Sequence, residues 1–417
     1  MTGEILFLSH RVPFPPNRGD KIRSHHVLKH LAALAPVHVA TFADNAQDMA
    51  EAPELAALAA SHCLIERTKS MPRAGLEALA KGAPVSLTAF HDPVLAAYVR
   101  KVLAERPIAV IYAFSGQMGQ YIPAEFGGRV VFDFVDVDSA KFEAYAAAGA
   151  APRRWIDARE GRLLRAEEAR LARRAEVSLL VSSEEAALFR ARLLAQDRAE
   201  CDVRALRNGI DAQFFNPAGC TPAPELAECT GPRLILTGQM DYAPNVAAAQ
   251  RVIDRLLPAI RAAIPTASFH VVGRNPPQAL RAQHGRGGVH VWGGVDDIRR
   301  YLIAADLALV PLEIARGVQN KVLEAMAMER AVVLTPAAAT GIGGGDGVHY
   351  AAADSDAELA ARCTTLLSDP RARRALGKTA RRFVVDTLSW QATLAPLSMM
   401  LGLPQSGLPQ SAARDAA

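Results

Sequence analysis

The sequence predicts an α/β protein made of two doubly wound domains, each a parallel sheet covered by helices. Three observations carry that prediction. Short apolar runs of strand length alternate with helical apolar patterns. The alternation occurs twice, on either side of a turn- and proline-rich stretch. The chain has 417 residues, 50% of them hydrophobic, too many for one small core at roughly 100–200 residues per domain.

In the first half, strands are expected at 4–9, 37–42, 109–114, 130–134 and 177–181. In the second half they are expected at 233–237, 268–272, 289–291, 307–310 and 331–334. Between the halves, Leu206-Arg207-Asn208-Gly209-Ile210-Asp211 and Cys220-Thr221-Pro222-Ala223-Pro224 read as a linker. That gives a first domain over 1–205 and a second over 206–385. In 402–417 the unit Gly-Leu-Pro-Gln-Ser occurs twice, which predicts a disordered low-complexity tail.

The net charge of +4 is too mild for a nucleic-acid-binding protein and leaves small anions or a membrane surface as partners. Cys63, Cys201, Cys220, Cys229 and Cys363 are odd in number and lack the paired close spacing of a zinc site. Reduced thiols in a cytoplasmic protein are expected. Glu4, directly before the apolar run Ile5-Leu6-Phe7-Leu8, argues against a signal peptide, and no apolar stretch approaches the roughly 18 residues of a membrane span.

Two strand–loop–helix segments carry the functional signal. Ala308-Leu309-Val310-Pro311-Leu312 reads as a buried strand, and Val322, Leu323 and Met326 have the spacing of a buried helix face. A helix N-terminus attracts phosphate through unpaired N–H groups and the macrodipole, and Lys321 adds a formal cation. Glu324, about one turn later, suits two neighbouring ribose hydroxyls as an acceptor. An ordinary helix start with a charge pair is the alternative. In the first domain, Pro13-Phe14-Pro15-Pro16-Asn17-Arg18-Gly19-Asp20 leads into a helix. There Gly19 permits close backbone approach, Asp20 is a candidate cap, and Lys21 and Arg23 are cations near the start. Ligands of doubly wound sheets bind outside the strands' carboxyl ends, so both loops are expected to face one cleft and two substrates. A plain proline-rich turn is the alternative for the first loop.

These segments resemble the retaining, family-four-like glycosyltransferases of the GT-B fold. The resemblance is carried by Pro15-Pro16-Asn17-Arg18-Gly19-Asp20-Lys21-Ile22-Arg23, Arg207-Asn208-Gly209-Ile210-Asp211, Gly238-Gln239-Met240-Asp241-Tyr242-Ala243-Pro244-Asn245, Val271-Val272-Gly273 and Lys321-Val322-Leu323-Glu324-Ala325-Met326-Ala327. Val135-Asp136-Val137-Asp138-Ser139 and Ala315-Arg316-Gly317-Val318-Gln319-Asn320-Lys321 resemble a subgroup associated with bacterial exopolysaccharide systems. The resemblance implies two Rossmann-like domains facing across a cleft, the donor mainly on the second, the acceptor mainly on the first, and a final helix over 386–401 crossing back, which Ser389-Trp390 followed by Leu394, Leu397 and Leu401 suits. By matching position, Glu324 would hold the donor ribose and Gln319, Asn320 and Lys321 the diphosphate. Gly238 would allow close approach, Gly273 and Arg274 would line the cleft near the base, and Gly19 would face the diphosphate. The co-substrate would be a nucleotide-diphosphate sugar, with no further cofactor and no metal.

The chain departs from the family pattern in three places. Arg316 stands where many members carry a first glutamate, and Arg316 with Lys321 is the expected source of compensating charge. The loop after the first strand of the second domain, Gly238-Gln239-Met240-Asp241-Tyr242, lacks the usual cations. Ala113-Phe114-Ser115-Gly116-Gln117 lacks the usual catalytic-loop histidine. The catalytic candidates are therefore Asp136 and Asp138, at the carboxyl edge of the first sheet, where a carboxylate can orient or deprotonate an acceptor hydroxyl. Ser115 is a further one. Helix capping by Asp136 and solvation of Asp138 are the alternatives.

The helix near 156–175 carries Arg159, Arg162, Arg165, Arg170, Arg173 and Arg174 among glutamates. A solvated face is one reading, and peripheral contact with anionic lipid near a lipid-linked acceptor is the other. The expected function is sugar transfer to a glycan or lipid-linked acceptor in surface polysaccharide synthesis. An epimerase or hydrolase of nucleotide sugars, or a non-catalytic nucleotide-sugar-binding protein, is the alternative.

Overall fold

The computed structural model describes residues 3–315 and 317–402. It divides into two units, one running to Asn208 and resumed from Thr393, the other Gly209–Ala392.

Unit one is built on a seven-stranded parallel sheet: β1 (Glu4–Ser9), β2 (Val37–Ala43), β3 (Ser61–Glu66), β4 (Ile108–Phe114), β5 (Arg129–Val135), β6 (Val177–Leu180) and β7 (Val203–Ala205), in the order β3-β2-β1-β4-β5-β6-β7. The order reverses between β1 and β4, the point where such sheets open a ligand crevice. β1 and β2 are buried along their whole lengths, as strands covered on both faces must be. Unit two has a six-stranded parallel sheet: β8 (Arg233–Thr237), β9 (Ser268–Val272), β10 (Val289–Gly293), β11 (Leu307–Val310), β12 (Ala331–Leu334) and β13 (Ala351–Ala352), in the order β10-β9-β8-β11-β12-β13. All ten expected strands form, and β3, β7 and β13 join them at or near sheet edges.

The first helix, Gly19–Leu34, corrects three expectations. Asp20 is not its cap: the N-cap residue is Arg18, without a side-chain cap bond, and the Asp20 carboxylate accepts instead from Arg11 at 2.9 Å and Arg18 at 2.8 Å. Lys21 is buried and donates to Asp48 at 2.6 Å and to the Phe14 carbonyl at 2.9 Å. Arg23 is fully buried on Asp133, with bonds of 2.9 and 3.0 Å, and Tyr112 donates to the same carboxylate at 2.7 Å. Neither cation is available to a ligand.

Arg23 also donates to the Leu206 carbonyl at 2.7 Å and the Asn208 side-chain oxygen at 2.8 Å, which ties the chain to unit one three residues beyond the expected boundary. Gly209 follows where a Cβ would lie 2.5 Å from the Trp390 nitrogen, so the strand-like pairing of Ile210 with Leu388 and Trp390 requires glycine there. The expected single final helix is two short ones, Trp390–Leu394 and Leu397–Met400. Pro396 lacks the N–H and disfavours helical backbone before it, which breaks the run. Leu394, Leu397 and Leu401 are buried all the same, and Arg129 of β5 donates to the Met400 carbonyl. The tail beyond Gly402 lies outside the described residues.

Candidate functional site

Two strand ends of the second sheet touch backbone to backbone. Gly238, directly after β8, has φ 143°, a conformation that side chains with a Cβ rarely adopt. A Cβ there would meet Asn245 Nδ2 at 2.9 Å and Lys321 Cε at 3.1 Å. On Gly273, after β9, a Cβ would stand 1.5 Å from the Gly238 carbonyl oxygen. The loops are held by Gly238 N–H donating to Val272 O at 3.1 Å and Met240 N–H donating to Arg274 O at 2.8 Å.

Beside them starts the helix Asn320–Ala327. Val322, Leu323, Ala325, Met326 and Ala327 bury one face and anchor it, and the N-cap residue Gln319 supplies no side-chain cap. The Gln319 carbonyl accepts from the Val322 N–H at 2.9 Å, and among the described residues no side chain caps the first turn. Gly238, Gln239, Tyr242, Asn245, Val318, Asn320, Lys321 and Glu324 line an open cavity of ≈ 230 Å³.

The electrostatics of this cavity are unusual. Burial lowers the Lys321 pKa, a pull that Glu324 opposes. Burial raises Glu324 to about 7, against the attraction of Lys321. Both groups are thus primed to gain from a ligand: an anion favours the ammonium, and donated hydroxyls favour the carboxylate. Lys321 is oriented by a 3.0 Å bond to Gln319 Oε1. Asn245, 4% exposed, donates to the Gln239 carbonyl at 2.8 Å, while its Oδ1 is buried without a partner among the described residues. A buried acceptor left unpaired costs about 1–3 kcal/mol.

Of the residues singled out in the sequence, Gly238, Asn320, Lys321 and Glu324 line the cavity. Gly273 supports it through Gly238, and Gln319 acts through Lys321. Arg274 lies against Gly294 and does not line the cavity. Arg316 lies outside the described residues. Gly19 opens the first helix of unit one, with open space where a Cβ would stand. Asn245, Gln239 and Tyr242 received no role from the sequence, although they sit in one of the quoted motifs.

The catalytic candidates lie at the carboxyl ends of β4 and β5, neighbours in the first sheet. Ser115 has φ 77° and Val135 φ 69°, strained for non-glycine residues and most of all for a β-branched one. Ser115 Oγ donates to the Gln117 side chain. Asp136 does not cap the next helix, whose N-cap residue is Val137. Asp136 and Asp138 instead share Lys141, at 2.8 and 3.3 Å. Beside them Glu168 is buried; it accepts from the Ser139 N–H at 2.9 Å and from Oγ at 2.5 Å, and burial raises it to about 7. The space bounded by Gln117, Asp136, Asp138 and Glu168 is only ≈ 10 Å³. Among the described residues no three His, Cys, Asp or Glu side chains group as metal ligands.

Residues 231–369, which include every residue lining the cavity, match the model of a family described as glycosyl transferases group 1. Comparison with curated protein sequences gives no match. Among solved structures, Anabaena HepE in complex with UDP is similar at 16% identity over 96% of this chain and 99% of that one, with a TM-score of 0.60. The chain has the two-sheet fold called GT-B. Sucrose-phosphate synthase from Thermosynechococcus elongatus shares it at 16% identity, covering 95% and 98% of the chains, with a TM-score of 0.54. WaaG, a glycosyltransferase involved in lipopolysaccharide biosynthesis, does so at 18% identity, 97% and 100% coverage and a TM-score of 0.53.

Proposed function

We propose that this protein is a glycosyltransferase that moves a sugar from a nucleoside diphosphate sugar to a hydroxyl of a glycan or lipid-linked glycan, with retention, in surface polysaccharide synthesis. The observation that carries the reading is the ≈ 230 Å³ cavity on which a helix N-terminus, Lys321 and Glu324 converge. That cavity lies inside the stretch matching the group 1 family.

In this reading the donor diphosphate sits at the start of Asn320–Ala327, and Glu324 accepts from the ribose hydroxyls. As the sugar leaves, charge develops on the diphosphate, where fixed N–H dipoles and Lys321 stabilise it. That attraction grows toward the transition state and so lowers the barrier, whereas the grip of Glu324 on the ribose is unchanged and supports binding. Asp136, Asp138 and Ser115 remain candidates for orienting the acceptor hydroxyl. No further cofactor is invoked, and the place of action is the cytoplasm.

The test is product analysis with labelled nucleotide sugars and a panel of glycan and lipid-phosphate-linked acceptors, starting with UDP-glucose because HepE is seen in complex with it. Label transferred to an acceptor supports the reading. Free or epimerised sugar in every reaction assigns a hydrolase or epimerase instead, and donor binding without turnover assigns a binding protein.

A further inference from the structure

We propose that the outer face of the helix Met71–Lys81, together with the first turns of the helix Arg153–Arg174, is a docking surface for an anionic lipid bilayer. The arginine stripe further along that second helix is occupied by the protein itself. Arg165 donates to the Arg192 carbonyl, Arg170 pairs with Glu167, Arg173 with Asp197, and Arg174 reaches the Phe126 carbonyl. A membrane contact has to lie elsewhere, and the exposed apolar residues show where.

On Met71–Lys81, Ala74 and Ala78 turn inward, whereas Leu76 and Leu79 are 71% and 65% exposed. On the second helix Trp155 and Ile156 are 69% and 59% exposed. Two clamps tie the second helix to the end of the first and to the segment that follows it. Arg159, one turn after Trp155, donates to the carbonyls of Ala78 and Ala83 at 3.1 and 3.2 Å. Buried Glu160 accepts from the N–H groups of Val85 and Ser86, both at 2.8 Å. Large apolar side chains held outward on elements clamped together mark an interaction surface.

Its rim decides the partner. Lys81, Arg154 and Arg162 are exposed and form no ion pair among the described residues. Tryptophan and leucine flanked by unpaired cations suit the interfacial zone of an anionic bilayer, with rings and alkyl groups below the head groups and cations among them. A second copy fits poorly, because a two-fold contact through this face would set the same cations against one another. This inference stands apart from the transferase reading, since docking is measured without turnover.

The test is co-sedimentation of the full chain with phosphatidylglycerol-containing and with pure phosphatidylcholine vesicles, together with size-exclusion chromatography without lipid. Binding to the anionic vesicles alone is expected, weakening with salt, with a blue shift of Trp155 fluorescence that Trp155→Ser removes. Lys81→Gln/Arg154→Gln/Arg162→Gln should lower the partition coefficient about a hundredfold. Leu76→Ser/Leu79→Ser should weaken it as well, and because all these side chains are exposed, thermal melting of the variants should match the parent chain. No binding to anionic vesicles, or binding unchanged in both sets of variants, overturns the proposal. So does a dimer of the parent chain that the leucine variants dissociate.

Discussion

Lys321 and Glu324 stand about one turn apart on the same helix and line the same cavity, and burial drives both toward their neutral forms. A charge pair that served only the fold would be held ionised by mutual attraction. Here desolvation prevails, the expected state of a site whose charges are completed by a ligand.

The raised Glu324 pKa makes stability depend on pH. The folded state holds the proton more tightly than the unfolded chain, so the contribution of Glu324 is fully present below the unfolded value of 4.5 and is lost as pH rises through about 7. Urea titrations at pH 5 and pH 8 should show the parent chain losing stability over that interval relative to Glu324→Gln. Parallel pH profiles for the two proteins would contradict the assignment.

Lys321→Ala and Glu324→Gln should separate in steady-state kinetics. Removing the charge that meets the departing diphosphate should lower kcat by about a hundredfold or more. Removing the ribose acceptor should mainly raise KM. Both changes falling on KM alone would argue against stabilisation of the leaving group by Lys321.

Asp133→Ala should be among the most destabilising substitutions in unit one. It strands the fully buried Arg23 guanidinium without its carboxylate, at a cost of about 3–5 kcal/mol. Equilibrium denaturation measures this directly, and a loss below about 1 kcal/mol would mean that the pair does not hold the Leu206–Asn208 segment in place.

Two glycines of the family-like motifs should behave differently. Gly273→Ala forces a Cβ onto the Gly238 carbonyl, so it should cost about 1–3 kcal/mol and abolish nucleotide binding. Gly19→Ala meets open space and should change stability by no more than about 0.5 kcal/mol. Thermal melts of the two variants with and without nucleotide give the comparison.

The strands of both sheets were legible because parallel strands covered on both faces are nearly continuous apolar runs, as in Ile5-Leu6-Phe7-Leu8 and Ala331-Val332-Val333-Leu334. β3, Ser61-His62-Cys63-Leu64-Ile65-Glu66, is a half-buried edge strand with polar residues and carries no such run. In the sequence Lys21 and Arg23 are simply cations near a helix start, because their partners, Asp48 and Asp133, lie 27 and 110 positions away. Nothing local marks such a pairing. Within the donor cavity, the helix start, Lys321 and Glu324 were legible from their spacing. The place of Asn245 was not, because its bond to the Gln239 carbonyl is a property of the packed loop and not of the residue type.

The central claim is that this cavity takes a nucleoside diphosphate, and isothermal titration with UDP, GDP and ADP, comparing the parent chain with Glu324→Ala, tests it most directly. Saturable binding of one nucleotide to the parent chain, weakened tenfold or more in the variant at an effect of about 1.4 kcal/mol, is the predicted result. A folded protein that binds none of the three, or binds one equally well without Glu324, would contradict it.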